Sequence, residues 1–361
     1  MDLIGTIHGD CLGLCYCQQD LSRSAYICLI IHLHDWQSMS MEESIKRIVI
    51  NLEWSPPLLL HYCSVLHFEF RVSNMSTYET AQDQFIDVKG VRYAYRYFGA
   101  ATEIPLVFNI HFRGTVDHWD PDFINPIAST RPVILIDNSG VGRSSGEIPE
   151  SYAGWAKNIV DVIEALGIKQ VDVFGFSMGG FVAQLIALNA PHLVRKLILA
   201  GTGPSAGPDV KNGEPEYLGL LSNAATEEEN HNAFLKTFYS PSDKKQALAE
   251  LWWKRMTSAR TDRVDYVGPD GTQRQLAAAV KWLGGEFREE GSYDRLDQIK
   301  IPVFIANGSN DLLIPTVNSW VLWKKMVNAD AHLHLFPDSG HGFLNEYADI
   351  FSKQVISFLD A

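Results

Sequence analysis

The stretch from Val171 to Pro191 reads VDVFGFSMGGFVAQLIALNAP, and it limits the possible folds more than any other part of the chain. An apolar, β-branched run ends in Gly175-Phe176-Ser177-Met178-Gly179, and a helical pattern starts at once and stops at Pro191. Strand, tight turn and helix in immediate succession make one half of a strand–helix–strand unit. Glycines on both sides of Ser177 remove the side chains that would crowd such a turn, so the hydroxyl is lifted above the end of the strand. The first turn of the helix then offers free N–H groups and the positive end of its dipole. The bland reading is a turn that only redirects the chain. The sharper one is a nucleophile.

The same alternation recurs around this stretch. PLVFNIH (105–111) and PVILID (132–137) are short apolar runs of the kind buried on both faces of a parallel sheet. Ser151 caps a helix whose Trp155, Ile159, Val162, Ile163 and Leu166 follow the helical period, and Gly167 ends it. VRKLILAG (194–201) is a further strand. From Gly203 to Lys300 the strands cease. That segment is helical in character, rich in Trp252, Trp253, Tyr266, Trp282, Phe287 and Tyr293, with Thr226 and Glu229 as a capping-box pair. PVFIAN (302–307), a helix over 315–327, AHLHLF (331–336) and a last helix restore the alternation. The expected fold is α/β: one doubly wound, mostly parallel sheet made from 75–203 and 301–361, with a helical lid (204–300) inserted before the seventh strand.

Residues 1–74 read differently. They hold all five cysteines (Cys11, Cys15, Cys17, Cys28 and Cys63) and show no sustained period. From Met75 the pattern changes to a short strand, a Lys89-Gly90 turn and alternation at Val91, Tyr93, Tyr95 and Tyr97, which predicts a β-hairpin. The expectation is that folding, and translation, begin at Met75 and that the leader is disordered or mispredicted. The alternative is an extension that docks on the domain. Met1-Asp2 opens without a basic region, so no secretory signal is expected and the location expected is cytoplasmic. No apolar run approaches the roughly 18 residues of a membrane span.

Composition excludes other classes. The formal net charge is −13 with no Lys/Arg cluster, so no nucleic-acid partner is expected. The cysteine spacing matches no standard zinc pattern, and His332 and His334 lack a third ligand, so no metal is expected. DNSGVGRSSG (137–146) departs from G-x-G-x-x-G and is followed by Pro149, which favours a structural turn over a cofactor loop.

A serine hydroxyl needs a base to take its proton and an acid to orient that base. Asp311, in NGSNDLLIP, follows the strand at 302–307, and His341, in FPDSGHGFLNEY, follows the strand at 331–336. Ends of parallel strands converge on one sheet edge, so Ser177, Asp311 and His341 are brought together in the expected fold. Asp338 is the competing acid, although it lies close to His341 in sequence. One oxyanion donor is expected from the amide of Met178. The other is expected from the loop HFRGTVDHWDP (111–121).

From Met75 onward the chain resembles the serine α/β-hydrolase superfamily, nearest to small esterases of the cofactor-free haloperoxidase/perhydrolase-like branch. The stretches that carry the likeness are HFRGTVDHWDP, ILIDNSGVGRSSG, DVFGFSMGGFVAQLIAL, NGSND and SGHG. The resemblance implies Ser177 as nucleophile, His341 as base and then acid, Asp311 as orienting carboxylate, and Phe112 and Met178 as oxyanion donors. It implies no cofactor and a small, hydrophobic, ester-like substrate. Most relatives have His-Gly-x-x-Gly in the first loop where this chain reads His111-Phe112-Arg113-Gly114, which leaves the second donor between Phe112 and Arg113. Trp252 and Trp253 read first as lid core; with Trp119 and Trp282 they are the aromatic candidates for a substrate wall. A ligand receptor on a hydrolase scaffold, or an acyltransferase or perhydrolase using the same triad, is the alternative, and a place in specialised metabolism is compatible. Oligomeric state is not legible.

Overall fold

The computed structural model describes residues 76–361, apart from Glu103, Glu286 and Phe287, together with the backbone of five short strands before them. Those five make a three-stranded antiparallel sheet (Ile4–His8, Cys11–Cys17, Tyr26–His32) and a pair, Ile48–Val49 with His67–Phe68. They belong to a unit of their own, Met1–Asn74. The rest of that segment lies outside the described residues, and so do the cysteine side chains and the expectations placed on the leader.

The second unit, Met75–Ala361, holds an eight-stranded sheet. Its strands are β1 (Gln84–Val88), β2 (Val91–Gly99), β3 (Leu106–Asn109), β4 (Pro132–Ile136), β5 (Val171–Phe176), β6 (Val194–Ala200), β7 (Val303–Gly308) and β8 (Ala331–Phe336). They lie in the order β8-β7-β6-β5-β3-β4-β2-β1. Strands β3 to β8 are parallel, while the β1/β2 hairpin adds antiparallel pairing at one side. The hairpin turns at Lys89 (φ 52°) and Gly90 (φ 82°), two successive positive φ angles that match the right-handed twist of the strands.

Helices α1 (Pro121–Ala128), α2 (Tyr152–Ala165), α3 (Met178–Asn189), α8 (Val317–Lys325), α9 (Phe343–Glu346) and α10 (Ala348–Asp360) surround the sheet. Neighbouring residues of a strand face opposite sides, and β5 shows what that separates. Phe174 meets Phe123 of α1 (5.4 Å) and Phe351 of α10 (6.2 Å), whereas Gly175 lies against Gly180 and Ala183 of α3. Helices therefore cover both faces, which is why β3, β4 and β5 are buried along their whole length and read as continuous apolar runs. Ser151 caps α2 by accepting the Gly154 N–H (3.2 Å), and Gly167 takes φ 76° just past its end, as its sequence predicts.

The segment 204–300 forms α4 (Pro215–Asn223), α5 (Glu227–Phe238), α6 (Asp243–Ser258), α7 (Pro269–Gly284) and a 3-10 turn (Tyr293–Gln298). Thr226 and Glu229 make the expected reciprocal capping box on α5. Two features depart from the expected pattern. The tyrosine alternation of β2 does not persist: Tyr97 is exposed, while Arg96 is fully buried between Asp83 (2.6 Å) and Asp117 (2.5 Å). Helix α1 arises inside the loop after β3, where Pro121 supplies the first residue and Asp120 caps the Asp122 N–H.

Candidate active site

Ser177 links β5 to α3 with φ 58° and ψ −123°, a backbone region that L-residues avoid. Three hydrogen bonds hold it there. Its N–H donates to the Ala200 carbonyl (2.9 Å), and its own carbonyl accepts from the Gly180 N–H (2.9 Å) and the Thr202 hydroxyl (2.9 Å). The flanking glycines are required by proximity: a Cβ on Gly175 would stand 2.4 Å from the Gly179 carbonyl oxygen, and one on Gly179 2.0 Å from that of Asn109.

Asp311 follows β7 and His341 follows β8, and their side chains meet. Asp311 Oδ2 lies 2.7 Å from His341 Nδ1, and both side chains are completely buried. Oδ1 of the same carboxylate accepts the N–H groups of Leu313 and Ile314, each at 2.9 Å. With both oxygens accepting, the proton of the neutral imidazole sits on Nδ1 and Nε2 keeps its lone pair. Asp338, the competing acid, is exposed and lies 3.5 Å from Lys245 Nζ. The imidazole is held between Phe176, stacked at 5.0 Å, and Phe238 of α5, edge-on at 5.1 Å. The Gly342 N–H donates to the Phe238 carbonyl (2.7 Å), tying the histidine loop to α5.

His341 Nε2 is buried with no hydrogen-bond partner, so it does not bond the Ser177 hydroxyl in this structure. The two residues nonetheless share one place. Gly201, next to the carbonyl that holds Ser177, is so near the imidazole that a Cβ there would lie 3.4 Å from Nδ1 and Cε1. Catalytic hydrogen bonds are often long in empty sites and tighten when substrate binds.

In the loop after β3, His111 Nδ1–H donates to the Phe112 carbonyl (2.9 Å) among the rings of Phe176, Phe234 and Phe238. Burial lowers its pKa from 6.5 to about 3, so this imidazole stays neutral. Arg113 has φ 65°, and its N–H donates to Gln275 Oε1 of α7 (2.8 Å). With that amide engaged, Phe112 is the better placed of the two candidate donors. Phe112, Ser177 and Met178 all line one cavity.

That cavity has a volume of about 380 Å³. Phe181, Leu218, Leu221, Leu276, Ala279 and Leu283 supply much of its apolar wall, and Lys211 and Glu214 stand on its polar side. The tryptophans expected as a substrate wall are elsewhere. Trp119 is packed in the core against Phe108 and Phe174, and Trp252 and Trp253 of α6 pack with Phe234 of α5. Trp282 backs the wall from behind, stacked on Phe181 (5.2 Å) and edge-on to Tyr152 (5.5 Å), while its indole N–H donates to the Pro204 carbonyl. Large indoles gain most by full burial, and here smaller aliphatic side chains face the open space. Leu276, Ala279, Val280 and Leu283 line the cavity at i, i+3, i+4 and i+7 of α7, a spacing from which this face was open to recognition.

The glycine-rich loop after β4 is a structural turn: Asp137 accepts the N–H groups of Val116 (2.8 Å) and Arg143 (3.1 Å), bracing the loop that carries Phe112. Burial raises the Asp137 pKa from 3.8 to about 7. Among the described residues, no group of three His, Cys, Asp or Glu side chains is placed to hold a metal, and no helix is long and apolar enough to cross a membrane.

Residues 105–346 match the family model described as alpha/beta hydrolase fold. The chain is 35% identical to an alpha/beta hydrolase fold protein from Chitinophaga pinensis, whose structure superimposes with a TM-score of 0.69 over 79% of this chain and all of that one. It is 30% identical over 233 residues to a 2-hydroxy-6-oxononadienedioate/2-hydroxy-6-oxononatrienedioate hydrolase of Burkholderia vietnamiensis (63% of this chain, 76% of the relative). It is 29% identical over 240 residues to a poly(3-hydroxyalkanoate) depolymerase of Ectopseudomonas oleovorans (66% and 78%).

Proposed function

The chain belongs to the α/β-hydrolase family and is a hydrolase of small molecules, and on that premise we propose that it cleaves a hydrophobic ester, thioester or lactone through an acyl-enzyme on Ser177. The observation that carries this reading is the buried Asp311–His341 pair at 2.7 Å, whose Nε2 has no hydrogen-bond partner and whose ring stacks on Phe176, the residue before the strained Ser177.

The steps follow from where protons and lone pairs sit. Ser177 Oγ attacks the substrate carbonyl carbon while its proton passes to His341 Nε2. Asp311 stabilises the resulting imidazolium through Nδ1–H. The oxygen that takes up negative charge is held by the amides of Met178, at the first turn of α3, and of Phe112. His341 then gives its proton to the departing oxygen or sulfur, leaving the acyl group esterified to Ser177. Water, deprotonated by Nε2, attacks that ester, and collapse of the second intermediate releases the acid and restores the serine.

The apolar walls of the cavity suit a hydrophobic acyl group. Burial keeps the Tyr152 phenol on that wall protonated far above neutrality, so it contributes a neutral surface and no charge. The depolymerase relative is named for a polyester, which is consistent with ester chemistry on this scaffold. A fluorophosphonate probe tests the reading directly. It should label the protein on Ser177 and leave Ser177→Ala unlabelled; an unlabelled parent protein that turns over no ester, thioester or lactone would refute it.

A further inference from the structure

We infer that Arg113 and Gln275 are positioning residues that make the oxyanion loop depend on the docked lid. The inference rests on the proposed role of the Phe112 amide as oxyanion donor. Arg113 is 3% exposed, and its φ of 65° lies in the left-handed region that favours glycine. Such a conformation persists only when its surroundings over-determine it.

Among the described residues, every hydrogen-bond partner of Arg113 comes from the segment 204–300. The N–H donates to Gln275 Oε1 of α7 (2.8 Å), and the carbonyl accepts from the Val267 N–H (2.9 Å). The guanidinium donates from Nε to the Val267 carbonyl (3.0 Å) and from Nη1 to the Leu221 carbonyl at the end of α4 (2.6 Å) and to Asn230 Oδ1 of α5 (3.0 Å). One side chain from the core loop thus binds α4, α5 and the connection before α7. Neutral oxygens of the lid, with no carboxylate among its hydrogen-bond partners in the described residues, compensate the desolvated positive charge of Arg113.

The peptide between Phe112 and Arg113 is consequently held at both ends: His111 Nδ1–H grips its oxygen (2.9 Å) and Gln275 its N–H. If the lid withdraws, the N–H loses its acceptor and the guanidinium its partners together. The strained φ of Arg113 then relaxes, and the rotation passes through the Cα of Phe112 to the amide aimed at the oxyanion. Closing the lid and assembling the donor are one event.

Two measurements on the full chain test this. In Arg113→Met, hydrogen exchange should accelerate at least tenfold both in lid helices α4, α5 and α7 and in residues 111–116. Lid acceleration with the loop at its parent rate would overturn the inference, and this readout needs no activity. In Gln275→Leu, kcat per fluorophosphonate-titrated site should fall at least tenfold with KM within about threefold, because the donor acts on the transition state. Gln275→Glu, which keeps an acceptor for the Arg113 amide, should restore most of it. A parent kcat per titrated site in Gln275→Leu would overturn the inference, whereas an unlabelled, inactive parent protein would instead remove the proposed function.

Discussion

Asp311 grips His341 with one carboxylate oxygen and the backbone of its own loop with the other: Oδ2 lies 2.7 Å from Nδ1, while Oδ1 accepts from Leu313 and Ile314 at 2.9 Å. An asparagine at this position cannot do both with the imidazole in its present tautomer. If its oxygen stays with the two N–H groups, its NH₂ faces Nδ1, which must then accept, and the imidazole proton moves to Nε2. Asp311→Asn should therefore remain folded and lose on the order of 10³–10⁴ in kcat. Steady-state kinetics with a chromogenic ester checks this; a loss below tenfold would remove Asp311 from its role.

Ser177→Ala should lower turnover of a short-chain chromogenic ester at least several hundredfold without altering the melting temperature. Ser177→Gly should be equally inactive and more stable. A residue forced to φ 58° and ψ −123° carries strain on the order of 1–3 kcal/mol, and glycine returns roughly 0.5–1 kcal/mol of that as extra freedom of the unfolded chain. A net gain of about 1 kcal/mol in urea unfolding is expected. A Gly variant no more stable than the Ala variant would mean the turn is not strained.

His111 makes stability depend on acid. The unfolded chain takes up this proton near pH 6.5, but burial delays uptake in the folded protein to about 3. Between those values the unfolded state binds more protons, so the contribution is complete above about pH 6.5 and shrinks as pH falls. Asp137 acts in the opposite sense: raised from 3.8 to about 7, its contribution shrinks as pH rises through that window. Comparing parent and His111→Asn cancels the second effect and keeps a donor for the Phe112 carbonyl. The variant should lose less stability than the parent between about pH 6.5 and about pH 4.5 in urea titrations. Parallel curves would show that His111 is protonated in the folded protein.

Cavity volume should set the acyl length. Ala279 lies on the wall of the 380 Å³ space, and Ala279→Trp should fill it. For a hexanoate ester kcat/KM should fall by about tenfold, within the range expected for contacts in an apolar pocket, while the acetate ester changes less than threefold. Equal losses for both esters would place the acyl group elsewhere.

Much of this site is legible before any coordinates because its chemistry is local. The Gly175–Gly179 turn, the Thr226/Glu229 box and the loops after β7 and β8 announce themselves within a few residues, and the parallel sheet gathers their ends. What escapes is decided by contacts between distant segments. Hydrophobicity marks Trp119, Trp252, Trp253 and Trp282 as buried but not on which side of a wall each ring lies. The period of β2 predicts a tyrosine face, and two carboxylates distant in sequence make Arg96 the buried residue instead. Arg113 reads as an interruption of a glycine motif, and its partners begin more than a hundred residues away.

Ser177, Asp311 and His341 follow strands of the sheet while the insert 204–300 carries most of the cavity wall, so exchanging the insert should change the acyl group accepted with little disturbance to those three residues. Arg113 sets the limit on that modularity. A transplanted insert lacking acceptors at the places of Leu221, Asn230, Val267 and Gln275 would strand a positive charge in the interior. A successful graft should therefore bring its own residue at position 113.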